Sequence, residues 1–157
     1  MTKRAKVEVL EVPTIPAEFL NHLGFVVNRV AERLNAQVAQ VTLHHGLTVP
    51  QYGLLLLLQA EGPQAQIELS MRVGLDRTSV MRTVDLLEKR AFVRRDPDPS
   101  DRRKHSVVLT ETGAALLDQT LPQVRQAERD VTGLLSAQEQ TQLMELLRRL
   151  LVTNRAG

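Results

Sequence analysis

Residues 67–110 read IELSMRVGLDRTSVMRTVDLLEKRAFVRRDPDPSDRRKHSVVLT, and this stretch of the chain decides its fold. Leu69 and Val73 lie four residues apart, which predicts a short helix over residues 68–73 that is left through a tight turn at Gly74. Asp76 is a typical N-cap residue and predicts a second helix that reaches about residue 90. Two short helices joined by a glycine-containing turn form a helix-turn-helix candidate.

The second helix of this pair has two different faces. At about 100° of rotation per residue, Val80, Val84 and Leu87 share one face and should pack inward. A recognition helix needs this division, because one stripe anchors it while the other offers hydrogen-bonding groups to base edges in the major groove. An amphipathic surface helix without a nucleic-acid partner has the same pattern, so the helix alone leaves both interpretations open. The opposite face carries Thr78, Arg82, Asp85 and Lys89, with Arg77 and Ser79 beside it at the N-terminal end.

A β-hairpin is predicted next, with strands over residues 92–95 and 104–110 and a long polar connection between them. Such a wing can reach a minor groove, where arginine favours narrow, electronegative stretches. Acidic neighbours argue against indiscriminate binding of polyanions, and one of them could orient an arginine through a charge-assisted hydrogen bond. For the hairpin alone, a mixed-charge turn without a partner is the alternative. Its basic residues are Arg94, Arg95, Arg102, Arg103 and Lys104, and its acidic ones are Asp96, Asp98 and Asp101.

The positive charge of the chain is concentrated in this same stretch. The whole sequence has 20 basic and 18 acidic side chains, whereas residues 76–110 have nine basic and six acidic ones. A localised positive surplus is what a polyanionic partner requires, but a solvated surface without a partner explains the charge equally well. The absence of cysteine excludes disulfides, thiolate zinc sites and a cysteine nucleophile. With three phenylalanines, one tyrosine and no tryptophan, a platform that stacks unpaired bases is not expected.

A long helix is predicted before the helix-turn-helix. Apolar residues recur at spacings of three and four from Pro16 onward, so we expect one continuous helix of about 28 residues that ends near Gly46. Thr48 and Gln51 then form a predicted capping box for the next helix, which reaches about residue 60. The apolar residues of that helix are continuous, which predicts near-complete burial.

Two more helices are predicted after the wing. The first covers residues 111–135, with a bend expected at Pro122. The capping box of Ser136 and Glu139 opens a leucine-rich final helix. These elements together predict a mostly α-helical protein with a small β-hairpin wing, in which a winged helix-turn-helix domain is combined with a helical dimerisation region.

The chain resembles the winged-helix regulators of the multiple antibiotic resistance (MarR) family from about residue 16 to residue 151. The resemblance is carried by LTVPQYGLLLLLQAEG at residues 47–62, by residues 67–95, and by DPDPSDRRKHSVVLTETG at residues 96–113. The third stretch is the most specific, because it combines an Asp-x-Arg pattern with a following Leu-Thr. The resemblance implies a sequence-specific, double-stranded DNA-binding regulator of transcription, in the first place a repressor that is released by a small-molecule effector, with an activator as the alternative.

The predicted elements give a domain organisation, and the resemblance implies residue roles. We expect an N-terminal arm over residues 1–15, a helical dimerisation region formed by residues 16–46 and 111–157, and a DNA-binding domain over residues 47–110. The residues implied at the major groove are Arg77, Thr78, Ser79 and Arg82. Those implied in the wing are Arg103 in the minor groove, Asp101 orienting it, and Arg102 and Lys104 at phosphates.

A homodimer is also expected from an argument on burial. The first helix and the terminal helices carry more apolar surface than the winged-helix module beside them can cover, so a second copy is the simplest partner. An intramolecular helical subdomain is the alternative. The two-fold symmetry of a dimer predicts a pseudo-palindromic operator with half-sites about 10 base pairs, or one turn of DNA, apart.

The family resemblance implies an effector cleft between the dimer helices and the DNA-binding lobe. Candidate cleft residues on the first two helices are His22, Arg29 and Tyr52, each of which is equally well explained as a structural polar group. The branches that sense through an oxidised cysteine or through a tryptophan of the first helix do not apply, because the chain has neither residue type. Its four histidines form no cluster with carboxylates, so neither a metal site nor another cofactor is expected.

Two other function classes differ from this prediction in testable ways. An enzyme would need a nucleophile with a base, paired carboxylates in a cleft, a phosphate-binding glycine loop or a metal-ligand motif, and the sequence has no such pattern. A non-specific architectural DNA-binding protein would bind duplexes without preferring one sequence.

The sequence has no pattern typical of a membrane or exported protein. Its densest apolar run covers residues 54–58, far short of the roughly 18 residues that a spanning helix needs. Glu8 and Glu11 interrupt the segment that follows the first basic residues, so no apolar signal core is formed. We therefore expect a cytoplasmic protein with no membrane partner.

Overall fold

The computed structural model describes residues 15–97 and 105–152. They form two compact units, one that ends at Glu32 and one that starts at Arg33. In chain order the elements are α1 (Ala17–Leu20), α2 (Leu23–His44), α3 (Val49–Glu61), β1 (Gln64–Ala65), α4 (Gln66–Val73), α5 (Arg77–Lys89), β2 (Val93–Pro97), β3 (His105–Leu109), α6 (Glu111–Thr132) and α7 (Ala137–Val152). The predicted fold class is confirmed, since the chain is mostly α-helical with one small antiparallel sheet. None of these described helices is long and apolar enough to cross a membrane.

The predicted long first helix is interrupted. The backbone N–H groups of Asn21 and His22 bond three residues back, to the carbonyls of Glu18 at 3.2 Å and Phe19 at 3.1 Å. These tight bonds close α1 before α2 begins at Leu23. The expectation of one continuous helix is therefore wrong, and α2 covers 22 residues. The apolar spacing continues across the break, so periodicity alone does not reveal it.

The helix-turn-helix forms as the sequence predicts. Gly74 follows α4 with a φ of 69°, a left-handed conformation that glycine adopts without steric cost. Asp76 then caps α5, because its Oδ1 accepts a hydrogen bond from the backbone N–H of Ser79 at 2.9 Å. The residues predicted to pack inward from α5 are all buried: Val80, Val84 and Leu87.

α5 ends in a Schellman motif whose left-handed residue is an alanine. The N–H of Phe92 bonds the Leu87 carbonyl at 3.0 Å, and the N–H of Ala91 bonds the Glu88 carbonyl at 2.8 Å. Ala91 has a φ of 57°, and it is the one residue other than glycine with a positive φ in the described part of the chain. α2 ends in the same motif, with Gly46 at the left-handed position and a φ of 69°.

Three short strands form an antiparallel sheet in the order β1-β3-β2. β2 and β3 pair as the predicted hairpin, with Arg95 opposite Val107 and Pro97 opposite His105. The first strand is shifted from its predicted range, since β2 starts at Val93 and continues through Asp96 and Pro97. Among the described residues β3 covers His105–Leu109, and the predicted start at residue 104 lies outside them. β1 has two residues that pair with β3, and the sequence does not predict it because two residues are too few to show an alternation.

The core of the second unit is built around α3, which packs against α4, α5, α6 and β3. The predicted capping box at its start is present, with the Thr48 hydroxyl accepting from the Gln51 N–H and the Gln51 side chain accepting from the Thr48 N–H. Leu55 and Leu58 are buried, but Leu56 is 36% exposed. Near-complete burial of the leucine run is therefore wrong, because the neighbouring elements leave one face of α3 open.

α6 starts in close contact with the turn that follows α5. Thr110 caps it by accepting a hydrogen bond from the Gly113 N–H at 3.1 Å, and the same hydroxyl donates to the Ala91 carbonyl at 2.6 Å. A Cβ on Gly113 would lie 2.2 Å from the backbone oxygen of Phe92. Glycine is therefore required for this approach of α6 to the turn.

The two C-terminal helices differ in burial. α6 ends at Thr132, before the predicted residue 135, and contains Pro122, whose expected bend stays a prediction. The predicted capping box opens α7, with the Glu139 N–H donating to Ser136 Oγ at 3.3 Å. α6 buries one face in the core of the second unit, whereas α7 leaves its leucines exposed in the single chain. The exposed leucines of α7 are Leu143, Leu146, Leu147, Leu150 and Leu151.

Candidate nucleic-acid interface

The N-terminal half of α5 presents three of the side chains that the sequence assigns to the major groove. Arg77, Thr78 and Arg82 are exposed, and neither arginine forms an ion pair with another described residue. Val80 and Val84 hold the reverse side of the helix in the core. A helix anchored on one side in this way can enter a major groove with its other side free to contact bases.

Ser79, the fourth assigned residue, takes part in the cap of α5. Its hydroxyl donates to Asp76 Oδ2 at 2.6 Å, while its N–H donates to Oδ1. These hydrogen bonds lower the pKa of the Asp76 carboxyl, and the bond from the Ser79 side chain is the largest cause. The Ser79 proton is therefore committed to Asp76, and its hydroxyl oxygen is left as an acceptor.

Arg95 has partners that the sequence pattern does not reveal. Its guanidinium forms ion pairs with Asp85 and Glu88 of α5, and its backbone N–H donates to Glu88 Oε1 at 3.1 Å. With its amide oxygen turned toward the guanidinium, Gln66 accepts from Nε and Nη2 of Arg95, both at 3.0 Å. The Arg95 side chain is 24% exposed and is not a free cation of the wing.

The other wing residues fall into two groups. Arg94 is exposed, and its Nε donates to both carboxylate oxygens of Asp96 at 2.9 Å. The sequence-predicted wing contacts Asp101, Arg102, Arg103 and Lys104 belong to residues 98–104, which lie outside the described residues.

The three residues predicted to contact an effector have different surroundings. His22 and Arg29 are exposed residues of the first unit, where Arg29 Nη1 donates to Glu32 Oε2 at 2.6 Å. Tyr52 belongs to the second unit and is buried. Burial, followed by the nearby charge of Glu128, raises the pKa of the Tyr52 phenol, and Arg125 acts in the opposite direction.

A groove of about 540 Å³ lies between α3 and α4. The open face of α3, which includes Gly53 and Leu56, forms one wall, and Val73 is part of the other. Arg72 lies at the groove and is paired with Glu61 at 2.5 Å. None of the three predicted effector residues lines this groove. Within residues 15–97 and 105–152, no group of three or more histidines and carboxylates could hold a metal ion.

Comparison with known proteins decides the family. The model of the MarR family matches residues 47–105. The chain is also 32% identical to the HTH-type transcriptional repressor NicR of Pseudomonas putida over 151 residues, which are 96% of this chain and 96% of NicR. The chain belongs to the MarR family. MarR-family members are transcriptional regulators and not enzymes, so the enzyme alternative is excluded.

Solved structures agree with this MarR-family fold. BpsR of Bordetella bronchiseptica, whose DNA binding is regulated by 6-hydroxynicotinic acid, is 27% identical with a TM-score of 0.77 over 88% of this chain and 99% of that one. The repressor CouR bound to a 23-mer DNA duplex is 28% identical with a TM-score of 0.79 over the same shares of the two chains. CouR of Rhodococcus jostii RHA1 bound to p-coumaroyl-CoA is 26% identical with a TM-score of 0.77, over 88% of this chain and 98% of that one.

Like Arg95, Arg90 of this MarR-family chain has partners that the sequence does not reveal. Its guanidinium donates to the carbonyl of Gly46 at the end of α2, and it lies 4.6 Å from the centroid of the Phe92 ring. Arg90 therefore joins the C-terminal ends of α2 and α5. The two ends are 44 residues apart in sequence, so no local pattern could have predicted the contact.

Proposed function

We propose that this MarR-family protein is a homodimeric, sequence-specific repressor that binds a pseudo-palindromic operator in double-stranded DNA and is released by a small-molecule effector. The observation that carries the proposal is the N-terminal face of α5, where Arg77, Thr78 and Arg82 are exposed while the opposite face is anchored in the core. We assign base readout to Arg82, because an arginine can bind guanine O6 and N7 through two hydrogen bonds. We place the repressor in the cytoplasm with its operator.

The comparisons support repression and DNA binding. NicR, which the chain matches over nearly its whole length, is named a repressor, and CouR is a repressor solved in complex with a DNA duplex. The localised positive charge of residues 76–110 supports a polyanionic partner. The capping of α5 by Asp76 supports a rigid recognition helix, because a helix with satisfied N-terminal groups holds its first turn.

Homodimerisation is supported by the apolar surface that the single chain leaves open. Leu150 is 65% exposed and Leu151 is 80% exposed on α7, and Leu23 at the start of α2 is 72% exposed. The exposed leucines of α7 mark a surface that another protein covers. A second copy is the simplest partner for this surface, and its two-fold symmetry would match the pseudo-palindromic operator of the proposal.

The proposal predicts that Arg82 reads a base. Arg82→Ala should weaken operator binding by about 1–3 kcal/mol and relax the preference at one base pair of each half-site. The first probe is the duplex directly upstream of the protein's own gene, tested by electrophoretic shift. The second is a randomised duplex library from which the wild-type chain selects a preferred sequence.

Arg129→Ala is a matched control for this prediction, because Arg129 is an exposed arginine of α6 that bonds Gln126 and lies outside α5 and the wing. It should leave affinity and base preference unchanged. Equal affinities of the wild type, Arg82→Ala and Arg129→Ala for the selected duplex would contradict the assignment of α5 as the reading helix.

The wing residues are assigned from the family resemblance, with Arg103 in the minor groove and Asp101 orienting it. Arg103→Ala should weaken binding with a smaller change in major-groove preference than Arg82→Ala. Lys104→Ala should reduce the salt slope of binding by about one unit, as expected for the loss of one phosphate contact. We assign Arg102 to phosphate as well.

A non-specific architectural DNA-binding protein is the competing function. The two functions differ in the ratio of affinities for the selected duplex and for a shuffled duplex of the same composition. A specific repressor should prefer the selected duplex by roughly 1,000-fold or more. A ratio near one, or a library that yields no preferred sequence, would favour the architectural function.

The effector proposal rests on the neighbours, since BpsR responds to 6-hydroxynicotinic acid and CouR binds p-coumaroyl-CoA. We propose that an aromatic acid or a derivative of one releases this repressor, with His22, Arg29 and Tyr52 as candidate contacts. Both named compounds serve as probes in a DNA-release titration. Release by one of them that Arg29→Ala abolishes without changing DNA affinity would support this site.

A further inference from the structure

We propose that Arg95 is a positioning residue, which fixes the stem of the wing against the recognition helix by binding carboxylates of α5 and does not contact DNA. The inference rests on the proposed function, because it assigns part of the geometry needed for specific DNA binding. It concerns one cluster, formed by Arg95 of β2, Asp85 and Glu88 of α5, and Gln66 of α4, which we call the carboxylate clamp.

The strand register directs Arg95 toward the inside of the domain. Arg95 follows Val93 by two residues and pairs directly opposite Val107, and both valines are buried. Residues two apart on a strand, and residues directly opposite each other on neighbouring strands, share one face of a sheet. The guanidinium therefore leaves the core-facing side of β2, whereas Arg94 lies on the other face.

Every nitrogen of the Arg95 guanidinium has a partner in the clamp. Nη1 donates to Glu88, Nη2 donates to Asp85, and Nε donates to the oxygen of Gln66. Glu88 also accepts from the Arg95 backbone N–H, so it holds the strand as well as the side chain. The planar fork of arginine suits such a multiple attachment, which a lysine could not reproduce. One side chain thus ties β2 to α5 and to the first residue of α4.

The charge of the clamp argues against a role in attracting DNA. One guanidinium faces two carboxylates, so the cluster has a net charge of −1. A phosphate brought to Arg95 would add a further negative charge beside Asp85 and Glu88. The contribution of Arg95 is therefore geometric, since it sets the angle and spacing between the wing stem and the reading face of α5.

The variant Asp85→Asn/Glu88→Gln distinguishes an electrostatic role of the two carboxylates from a positioning role, because each role predicts a different change in DNA binding. Removing two negative charges near DNA should tighten binding to any duplex if the carboxylates only repel phosphate. If the clamp positions the wing, the ratio of affinities for the library-selected duplex and the shuffled duplex should instead fall by about tenfold or more. An unchanged or increased ratio would overturn the proposal.

Arg95→Met tests the other side of the clamp, with Arg94→Met as its matched control on the same strand. We expect Arg95→Met to lower the affinity ratio by a similar factor while the salt slope stays at the wild-type value. A fall in salt slope of about one unit with an unchanged ratio would identify Arg95 as a phosphate contact and overturn the proposal. Combining Arg95→Met with Asp85→Asn/Glu88→Gln should lower the ratio no further than Arg95→Met alone, because all three changes break one unit.

Hydrogen exchange of the full chain without DNA separates this inference from the proposed function. Arg95→Met should speed exchange at the backbone amides of β2 and β3 and leave those of α6 unchanged. If the wild-type chain selects no preferred duplex, the proposed function fails, and the exchange measurement still tests the clamp. Equal exchange in β2 and β3 of Arg95→Met and Arg94→Met would overturn it.

Discussion

Ala91 and Gly46 occupy equivalent positions at the ends of two helices. Both have the left-handed backbone conformation that a Schellman motif requires, with φ values of 57° and 69°. A side chain with a Cβ costs about 1–2 kcal/mol in this conformation, because the Cβ crowds the following carbonyl oxygen. The chain therefore keeps local strain at the end of α5, in the turn that leads into the wing.

Replacing Ala91 by glycine should relieve this strain. Glycine has more freedom in the unfolded chain, which offsets about 0.5–1 kcal/mol of the gain. We expect Ala91→Gly to raise the free energy of unfolding by about 0.5–1 kcal/mol, as measured by chemical denaturation.

Gly46→Ala is the reverse change at the matched position. It should lower the free energy of unfolding by at least about 1 kcal/mol, because it adds the same strain. Its Cβ would also lie 3.0 Å from Arg90 Nη2, so that side chain would have to move. A loss of stability in Ala91→Gly would show that the turn is not strained.

At the scale of the element, the starts of α3, α5 and α7 were predictable from the sequence. Thr48 with Gln51, Asp76 with Ser79, and Ser136 with Glu139 form the caps that their residue types indicate. A cap is a hydrogen bond between residues three positions apart, so the information that specifies it is local. The inward face of α5 was predictable for a similar reason, since one helical period determines it.

Features that depend on residues distant in sequence were not predictable. The Arg95 side chain meets Asp85 and Glu88 because β2 folds back along α5, and a count of basic residues places it on a solvated wing instead. Leu56 is exposed because the elements packed around α3 leave one of its faces open, and the hydropathy of the leucine run does not indicate which face that is.

The cap of α5 should make the stability of this element depend on pH. Hydrogen bonds from Ser79 lower the folded-state pKa of Asp76 below its ordinary value of 3.8, so the stabilisation is present above that value and is lost as the pH falls through the folded pKa. Asp76→Ala should lose the cap at every pH. Asp76→Asn should keep a cap without this acid dependence, because asparagine is also a good N-cap residue.

Unfolding of the three proteins as a function of pH checks this prediction. As the pH decreases below 3.8, the wild type should lose stability relative to Asp76→Asn. Parallel curves for the two proteins would mean that the Asp76 carboxylate is not coupled to folding.

At the scale of the whole molecule, the leucines of α7 should hold the proposed dimer together. Leu150→Glu places a charge on a side chain that is 65% exposed in the single chain, so each subunit should still fold. Burying that charge between subunits should weaken dimerisation at least about 100-fold. Sedimentation equilibrium of the 17.6 kDa chain distinguishes the two states.

Gln142→Glu adds the same charge to an exposed polar position of α7 and should leave the dimer intact. Operator affinity should fall with Leu150→Glu and not with Gln142→Glu, because a dimer binds two linked half-sites. A monomeric wild-type chain with full operator affinity would contradict the proposed assembly.

Tyr52 also gives the molecule an optical reporter. The chain has one tyrosine and no tryptophan, and that tyrosine is buried near Arg125 and Glu128 of α6. Its ultraviolet emission therefore originates from a single place at the start of α3, with no dye or label attached. A compound that binds beside this ring will quench or shift the emission, and one that binds far from it will leave the emission unchanged.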